Sequence, residues 1–146
     1  MRKVSVKAVL IGGVADVVFS TVLGIPLGIY VMTSRGILRL PKEQMQAAVE
    51  SAIHASMGLF AIQLLIGLGC SVLGGYIAAR IAKHDELLNG VLASWLCLAL
   101  GIYSLAAGNR SVPVILGLLL IAITPACYWL GSYLRLLSVR ASKSST

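Results

Sequence analysis

Hydrophobic positions fall into four long runs along the chain, and short clusters of charged residues separate one run from the next. Each run is long enough to cross the apolar core of a bilayer as an α-helix. Because the intervening loops are short, neighbouring helices are expected to be antiparallel. The pattern predicts an all-α fold, an integral membrane four-helix bundle that forms one domain over residues 1–146. Its spans are expected at about residues 8–32, 57–79, 87–107 and 112–134.

The stretch between the first two runs has a different pattern, with apolar residues at three- and four-residue intervals in an otherwise polar segment. This spacing is typical of an amphipathic helix, and Pro41 suits the start of one. We expect an amphipathic helix over about residues 42–56 that continues without a break into the second span. Beyond the fourth span, a stretch rich in Ser, Lys and Arg predicts a disordered tail over about residues 136–146.

Composition argues against a soluble domain. Of the 146 residues, 58% are hydrophobic and 12% are charged, and the mean hydropathy is +0.93, whereas soluble domains carry about 25% charged residues. The net charge of +7 does not indicate a nucleic-acid partner, because the basic residues lie at the ends of the apolar runs, where they face lipid headgroups. The partner that composition predicts is the lipid bilayer.

The distribution of basic residues predicts the orientation of the chain. Four spans place both termini on one side, and basic residues are more frequent on the cytoplasmic side of membrane proteins. Those on the side of the termini are Arg2, Lys3, Lys7, Arg80, Lys83, Arg135, Arg140 and Lys143, against Arg35, Arg39, Lys42 and Arg110 on the other. We expect a multi-pass protein of the cell inner (plasma) membrane with both termini in the cytoplasm. The first apolar run is too long for a signal peptide and is interpreted as a span.

Asp16 stands inside the first span, where a carboxylate is costly unless it faces the bundle interior, a water-filled cavity or a partner. Counting equal depths from the charged ends of the other spans brings several polar side chains to the level of Asp16, and Gln63 lies near the middle of the second span. The candidate site for coupling or substrate binding is Asp16, Gln63, Ser71, Ser94 and Thr124. Two interpretations stay open: a proton- or cation-coupled site, or hydrogen bonds that hold the helices together.

Small residues recur at four-residue intervals within the spans, a spacing that lets helix backbones approach closely. The predicted helix-packing residues are Gly24, Gly28, Gly67, Ser71, Gly75 and Gly101. Their contact partner, whether in the same chain, in a homodimer or in another membrane protein, stays open. Leu-Gly-x-Tyr also recurs near the C-terminal end of every span, which indicates either an aromatic belt at the headgroup level or a duplicated helical hairpin.

No motif for catalysis or cofactor binding accompanies these spans. The chain has no phosphate-binding loop, nucleotide fingerprint or catalytic triad pattern. Glu50 and His54 stand one helical turn apart, which suits a metal pair but is explained more simply as the solvated face of an amphipathic helix. Cys70, Cys97 and Cys127 lie in apolar runs and predict no disulfide. We therefore predict no enzyme activity, no cofactor and no metal.

The segment Gly74-Gly75-Tyr76-Ile77-Ala78-Ala79-Arg80, followed by a charged turn and Leu87-Leu88-Asn89-Gly90, resembles the central hairpin of uncharacterised small bacterial membrane-protein families with four predicted spans. That resemblance implies a bacterial inner-membrane protein and assigns no functional residue. In plan the chain is also similar to small multidrug resistance transporters, short four-helix chains with an acidic residue in the first helix, here matched by Asp16. The sequence thus predicts a structural or accessory subunit of a membrane assembly or, alternatively, a small proton- or ion-coupled transporter that uses Asp16.

Overall fold

The computed structural model describes residues 4–82, 84–106 and 114–144. Within these ranges the secondary structure is helical and contains no strand. The all-α fold predicted from the sequence is confirmed. Besides a short 3-10 helix at Ile37–Arg39, the helices are α1 (Val6–Ser34), α2 (Lys42–Ala55), α3 (Met57–Ala82), α4 (Glu86–Ala93), α5 (Trp95–Ala106) and α6 (Val114–Ser144).

Four stretches of this structure are long and apolar enough to cross a membrane. They are Val6–Ser34, Met57–Ala82, Glu86–Tyr103 and Ile115–Arg140. Helices α1, α3 and α6 each provide one span, whereas α4 and α5 together provide the third. The spans pack as a bundle in which α3 contacts α1, α4 and α6. The predicted turn between the third and fourth spans, with span ends near residues 107 and 112, lies outside the described residues.

The two ends of the bundle differ in construction. At one end, the backbone N–H of Ser5, which precedes α1, donates to the side-chain oxygen of Asn89 in α4 at 2.7 Å. The amide nitrogen of the fully buried Asn89 donates in turn to the carbonyls of His84 and Asp85 in the turn after α3. This end, called the terminal end below, therefore joins the start of α1 to the turn between α3 and α4. The opposite end carries α2 and is called the α2 end.

Helix α2 does not continue into α3, which corrects the prediction of an unbroken helix. Ser56 has an extended backbone, with φ −113° and ψ 111°. Its N–H donates to the Ile53 carbonyl, while its own carbonyl accepts from the N–H of Phe60 at 2.9 Å. Serine is favoured at the start of a helix over its interior. The break lets α2 fold back, so that Ile53 packs in one cluster with Val31 and Ile37 near the end of α1.

A second break, at Ser94, divides the third span into α4 and α5. The Ser94 hydroxyl donates to the Val91 carbonyl at 2.7 Å, and the Ser94 N–H donates to the same oxygen at 3.1 Å. Serine hydroxyls that bond backward to a helical carbonyl often bend the helix. On one side of the break α4 packs against α3, but on the other side α5 makes no close backbone approach to α3 within the described residues. The bundle is therefore closed around α4 and open beside α5.

The structure also corrects the predicted disordered tail. Helix α6 continues as far as Ser144, and residues 145 and 146 lie outside the described part of the chain. The stretch after Arg135 contains no Gly or Pro, and its Leu, Arg, Ala and Lys residues favour helix. Composition rich in Ser and charge is thus compatible with a helix that extends beyond the apolar span.

Three tyrosines of the Leu-Gly-x-Tyr repeats, Tyr30, Tyr103 and Tyr133, are exposed on the surface of the bundle. An aromatic belt requires such exposure, because its rings contact lipid headgroups. The duplicated-hairpin interpretation receives less support, since the third span is broken at Ser94 and the first span, α1, has no equivalent break.

Candidate functional site

Asp16 is buried in the centre of the bundle, with 3% of its surface exposed. Two glycines about one helical turn before it let α1 approach its neighbours. A Cβ at Gly12 would lie 2.6 Å from the Cβ of Ala78, and one at Gly13 would lie 3.0 Å from the Ala93 carbonyl oxygen. Only glycine allows such a close approach without displacing the facing helix. Asp16 is therefore brought within hydrogen-bonding distance of side chains on the other spans.

Three side chains from three different helices donate hydrogen bonds to one carboxylate oxygen, Oδ2 of Asp16. The Tyr128 hydroxyl of α6 lies at 2.7 Å, the Cys97 thiol of α5 at 3.0 Å, and the Ser71 hydroxyl of α3 at 3.1 Å. The Cys97 sulfur and the Tyr128 hydroxyl oxygen also lie 3.5 Å apart. One carboxylate thus connects all four spans through hydrogen bonds.

The second carboxylate oxygen of Asp16, Oδ1, accepts no hydrogen bond from the residues that the structure describes, and none of their cationic side chains forms an ion pair with Asp16. An ionised carboxylate has about four acceptor positions shared by its two oxygens. The site therefore satisfies one oxygen and leaves the other available. Because a buried charge without a counter-charge is costly, such a group is suited to taking up a proton or a cation.

Asp16 lines a cavity of about 440 Å³ that reaches from the centre of the bundle to α2. A volume of this size is in the range of small-molecule binding sites. The cavity lies on the side of the bundle where α5 diverges from α3. Its polar described lining is Asp16, Ser20, Glu50, His54, Gln63, Ser71, Cys97 and Thr124.

The structure brings four of the five predicted site residues to this cavity, namely Asp16, Gln63, Ser71 and Thr124. Of Gln63, Ser71 and Thr124, only Ser71 forms a hydrogen bond with Asp16. The Thr124 hydroxyl donates instead to the Leu120 carbonyl of its own helix. Ser94 is not part of the described lining, since its buried hydroxyl is bonded within the third span. Its effect on the site is indirect, through the bend that separates α4 from α5.

No protein-family model, curated protein or solved structure matches the chain. Among the described residues, no three His, Cys, Asp or Glu side chains are grouped as a metal ion would require. The functional interpretation therefore depends on the geometry of the Asp16 cavity.

Two of the donors to Asp16, Tyr128 and Cys97, were not among the predicted site residues. In the fourth span, the depth that equals that of Asp16 predicts Thr124, one helical turn before Tyr128. Tyr128 is the one tyrosine of the five that stands outside the Leu-Gly-x-Tyr repeats. A tyrosine hydroxyl away from the headgroup level needs a hydrogen-bond partner inside the protein. The position of Tyr128 outside the repeats is therefore the feature of the sequence that indicates an internal hydrogen bond at this residue.

The predicted helix-packing residues divide into two groups. Three of them meet a neighbouring helix. A Cβ at Gly75 would overlap the backbone of Tyr128, and one at Gly101 would lie 3.2 Å from Ile121. Ser71 is buried and its hydroxyl donates to Asp16 of α1. The positions that a Cβ would take at Gly24, Gly28 and Gly67 have no atom within 4 Å among the described residues, so these glycines make no close contact with the described part of another helix. Other close approaches occur at glycines outside the predicted set, which are Gly12, Gly74, Gly90 and Gly131.

Removing the Tyr128 hydroxyl is expected to destabilise the bundle without changing its fold. Tyr128→Phe keeps the buried ring and deletes the shortest hydrogen bond to Asp16, so the free energy of unfolding should fall by about 1–2 kcal/mol. Denaturant titration of the purified protein in detergent micelles measures this change. Tyr133→Phe, in the next turn of the same helix with an exposed side chain, is the matched control. Equal losses in the two variants would contradict a role for the hydrogen bond.

Proposed function

We propose that the chain is a small proton- or cation-coupled transporter of the membrane and that Asp16 is its coupling residue. The observation that carries this proposal is that Asp16 is only 3% exposed and yet lines a cavity of about 440 Å³. One of its carboxylate oxygens accepts no hydrogen bond from the described residues. Acidic residues placed in this way inside membrane bundles take part in ion or proton pathways. A cavity that ends at the centre of the bundle suits a carrier with alternating access better than an open pore.

The hydrogen bonds at Oδ2 provide a physical basis for coupling. Donors form stronger hydrogen bonds to an ionised carboxylate than to a neutral carboxyl group. A proton or a cation at Oδ1 therefore weakens the attraction between Asp16 and the donors Ser71, Cys97 and Tyr128. Because these donors belong to α3, α5 and α6, occupancy of the cavity changes how three spans are held to α1. A ligand that interacts differently with two arrangements of the spans shifts the balance between them.

A structural or accessory role in a membrane assembly is the second candidate function. The observation that favours it is the same set of three hydrogen bonds to one oxygen, which is also what a purely structural link between helices requires. In that role Asp16 needs no ligand. The two candidate functions differ in whether Oδ1 of Asp16 binds a proton or a cation.

Reconstitution separates these candidates. Purified protein is inserted into liposomes, a pH gradient is imposed, and uptake is measured for a panel of small cationic, anionic and neutral solutes. The transporter proposal expects uptake of a cationic solute, or proton movement, above that of protein-free liposomes. Absence of both, together with recovery of one defined membrane-protein partner from native membranes, would overturn it in favour of the accessory role.

We also infer that the chain lies in the cell inner membrane with both termini in the cytoplasm, on the basis of its basic residues. A reporter that is active only in the cytoplasm is therefore expected to be active when fused at Lys143 and silent when inserted at Gly36. These positions belong to the C-terminal part of α6 and to the connection between α1 and α2, respectively. The opposite result would mean that the termini face away from the cytoplasm.

A further inference from the structure

The Asp16 cavity is closed towards the terminal end by tight helix contacts. A Cβ at Gly74 would lie 3.0 Å from the Gly12 carbonyl oxygen and 3.1 Å from the Tyr128 hydroxyl. On the same side of Asp16, a Cβ at Gly131 would overlap the Val72 carbonyl. These contacts leave no room for a solute between α1, α3 and α6. A route from Asp16 to the terminal end is therefore blocked in this structure.

The cavity extends from Asp16 towards the α2 end of the bundle. On α1 it continues through Ser20, Gly24 and Leu27, which lie successively closer to that end of the helix. Glu50 and His54 of α2 also belong to the lining, although α2 is not one of the membrane spans. The His54 ring packs at 5.1 Å from the ring of Phe60, near the start of α3. The cavity thus extends from the middle of the bundle to the amphipathic helix at its surface.

The formal charges along this route are negative. Asp16 lies at the inner end and Glu50 at the outer end, and no Lys or Arg occurs in the described lining. A cleft lined by one sign of charge and surrounded by low-dielectric walls concentrates ions of the opposite sign. The hydroxyl groups of Ser20 and Thr124 and the amide oxygen of Gln63 belong to residues of the same lining and can accept hydrogen bonds from an ammonium group.

We propose that the cavity admits small amine cations from the side of the membrane that α2 faces, and that Glu50 is a positioning residue at its entrance. The inference rests on the proposed function, because it names the class of solute and the side from which Asp16 is reached. It adds that this structure is the state open to the α2 side. Tight contacts at Gly12, Gly74 and Gly131 form the barrier on the other side.

Thiol labelling tests the direction of access. The native cysteines are replaced in a Cys70→Ala, Cys97→Ser, Cys127→Ala background, where serine keeps a donor for Asp16. Ser20→Cys then reports on the cavity, Gly36→Cys on the α2 side and His84→Cys on the terminal side. Thr21→Cys, exposed on the outside of the same helix, is the control for reaction through lipid. Gln63→Cys repeats the cavity measurement from α3.

A membrane-impermeant cationic thiol reagent is expected to modify Ser20→Cys only from the side that modifies Gly36→Cys, and faster than it modifies Thr21→Cys. An anionic reagent of similar size should react more slowly in the cavity. Adding Glu50→Gln should lower the rate for the cationic reagent at the cavity position by about threefold, while the rate at Gly36→Cys stays unchanged. Methylammonium at high concentration should protect Ser20→Cys and Gln63→Cys.

Modification from the His84 side, or rates at both cavity positions no higher than at Thr21→Cys, would overturn the inference. Equal rates for the two reagents would overturn its cation preference. Labelling does not depend on transport, so the two proposals fail separately. A cavity that is labelled as expected in a protein without uptake would leave the access route in place and remove the transporter function.

Discussion

The Gly75→Leu variant is expected to lose about 3 kcal/mol or more of its free energy of unfolding, at the upper end of what overpacking costs. A Cβ at this position would overlap the Tyr128 carbonyl oxygen and lie 2.7 Å from the Tyr128 Cα. The obstacle is backbone, so no side-chain rotation can relieve it. Helix α6 would have to move away from α3, and the Tyr128 hydroxyl would move away from Asp16 with it.

Thermal unfolding in detergent, followed by circular dichroism, measures this loss. Gly69→Leu is the matched control, because it makes the same substitution in the same helix at a position with no atom within 4 Å of the added Cβ. Both variants gain the higher helix propensity of leucine, so the difference between them isolates the contact with α6. Gly75→Ala should show a smaller loss. Similar unfolding temperatures for Gly75→Leu and Gly69→Leu would mean that α3 and α6 do not meet at Gly75.

The Asp16→Asn variant is expected to abolish coupled uptake while keeping the fold. The amide oxygen can still accept the hydrogen bonds from Tyr128, Cys97 and Ser71 if it takes the place of Oδ2, and the amide nitrogen then takes the place of Oδ1. The variant cannot ionise, so it can neither release a proton nor neutralise a cation at this depth. We expect transport to fall to the level of protein-free liposomes and stability to fall by about 1 kcal/mol, since neutral hydrogen bonds are weaker than charge-assisted ones.

Asp85→Asn is the control for this experiment, because it makes the same chemical change at an exposed position outside the cavity. Uptake by Asp85→Asn should equal that of the unmodified protein. Uptake that persists in Asp16→Asn would remove the coupling role from Asp16. The structural role predicts the same modest loss of stability in Asp16→Asn, combined with no uptake by the unmodified protein.

The depth of polar residues was predictable from the sequence, but their bonding was not. Asp16 and Ser71 were placed at one level by counting from the charged ends of two spans, and in the structure they are hydrogen bonded. The same count cannot tell which way a side chain points around its helix. The count therefore predicts Thr124 and Ser94 as site residues and omits Tyr128, although Thr124 and Ser94 both bond within their own spans.

The two helix breaks could not be predicted from hydropathy either. Ser56 and Ser94 lie in stretches whose apolar pattern continues on both sides, so a pattern of hydrophobic positions predicts unbroken helices there. Each break is caused by local bonds of a serine and by the packing that the bend makes possible. Small-residue spacing likewise marks faces where helices can approach, without saying which face is used. The spacing is present at Gly24 and Gly28, but no described residue of another helix lies within 4 Å of a Cβ at either position.

The three donors to Asp16 are separated from it by 55, 81 and 112 residues along the chain, which imposes an order on biosynthesis. At about 5–20 residues per second, Tyr128 is made roughly 6–22 s after Asp16. During that interval α1 carries a carboxylate without its strongest donor, and a charged carboxylate at the centre of a lone helix opposes insertion by about 2.5–3.5 kcal/mol. A protonated Asp16, or one in contact with water, avoids this cost until the spans that carry its donors have reached the membrane. The hydrogen-bonded site around Asp16 is therefore completed only when α6 joins the bundle.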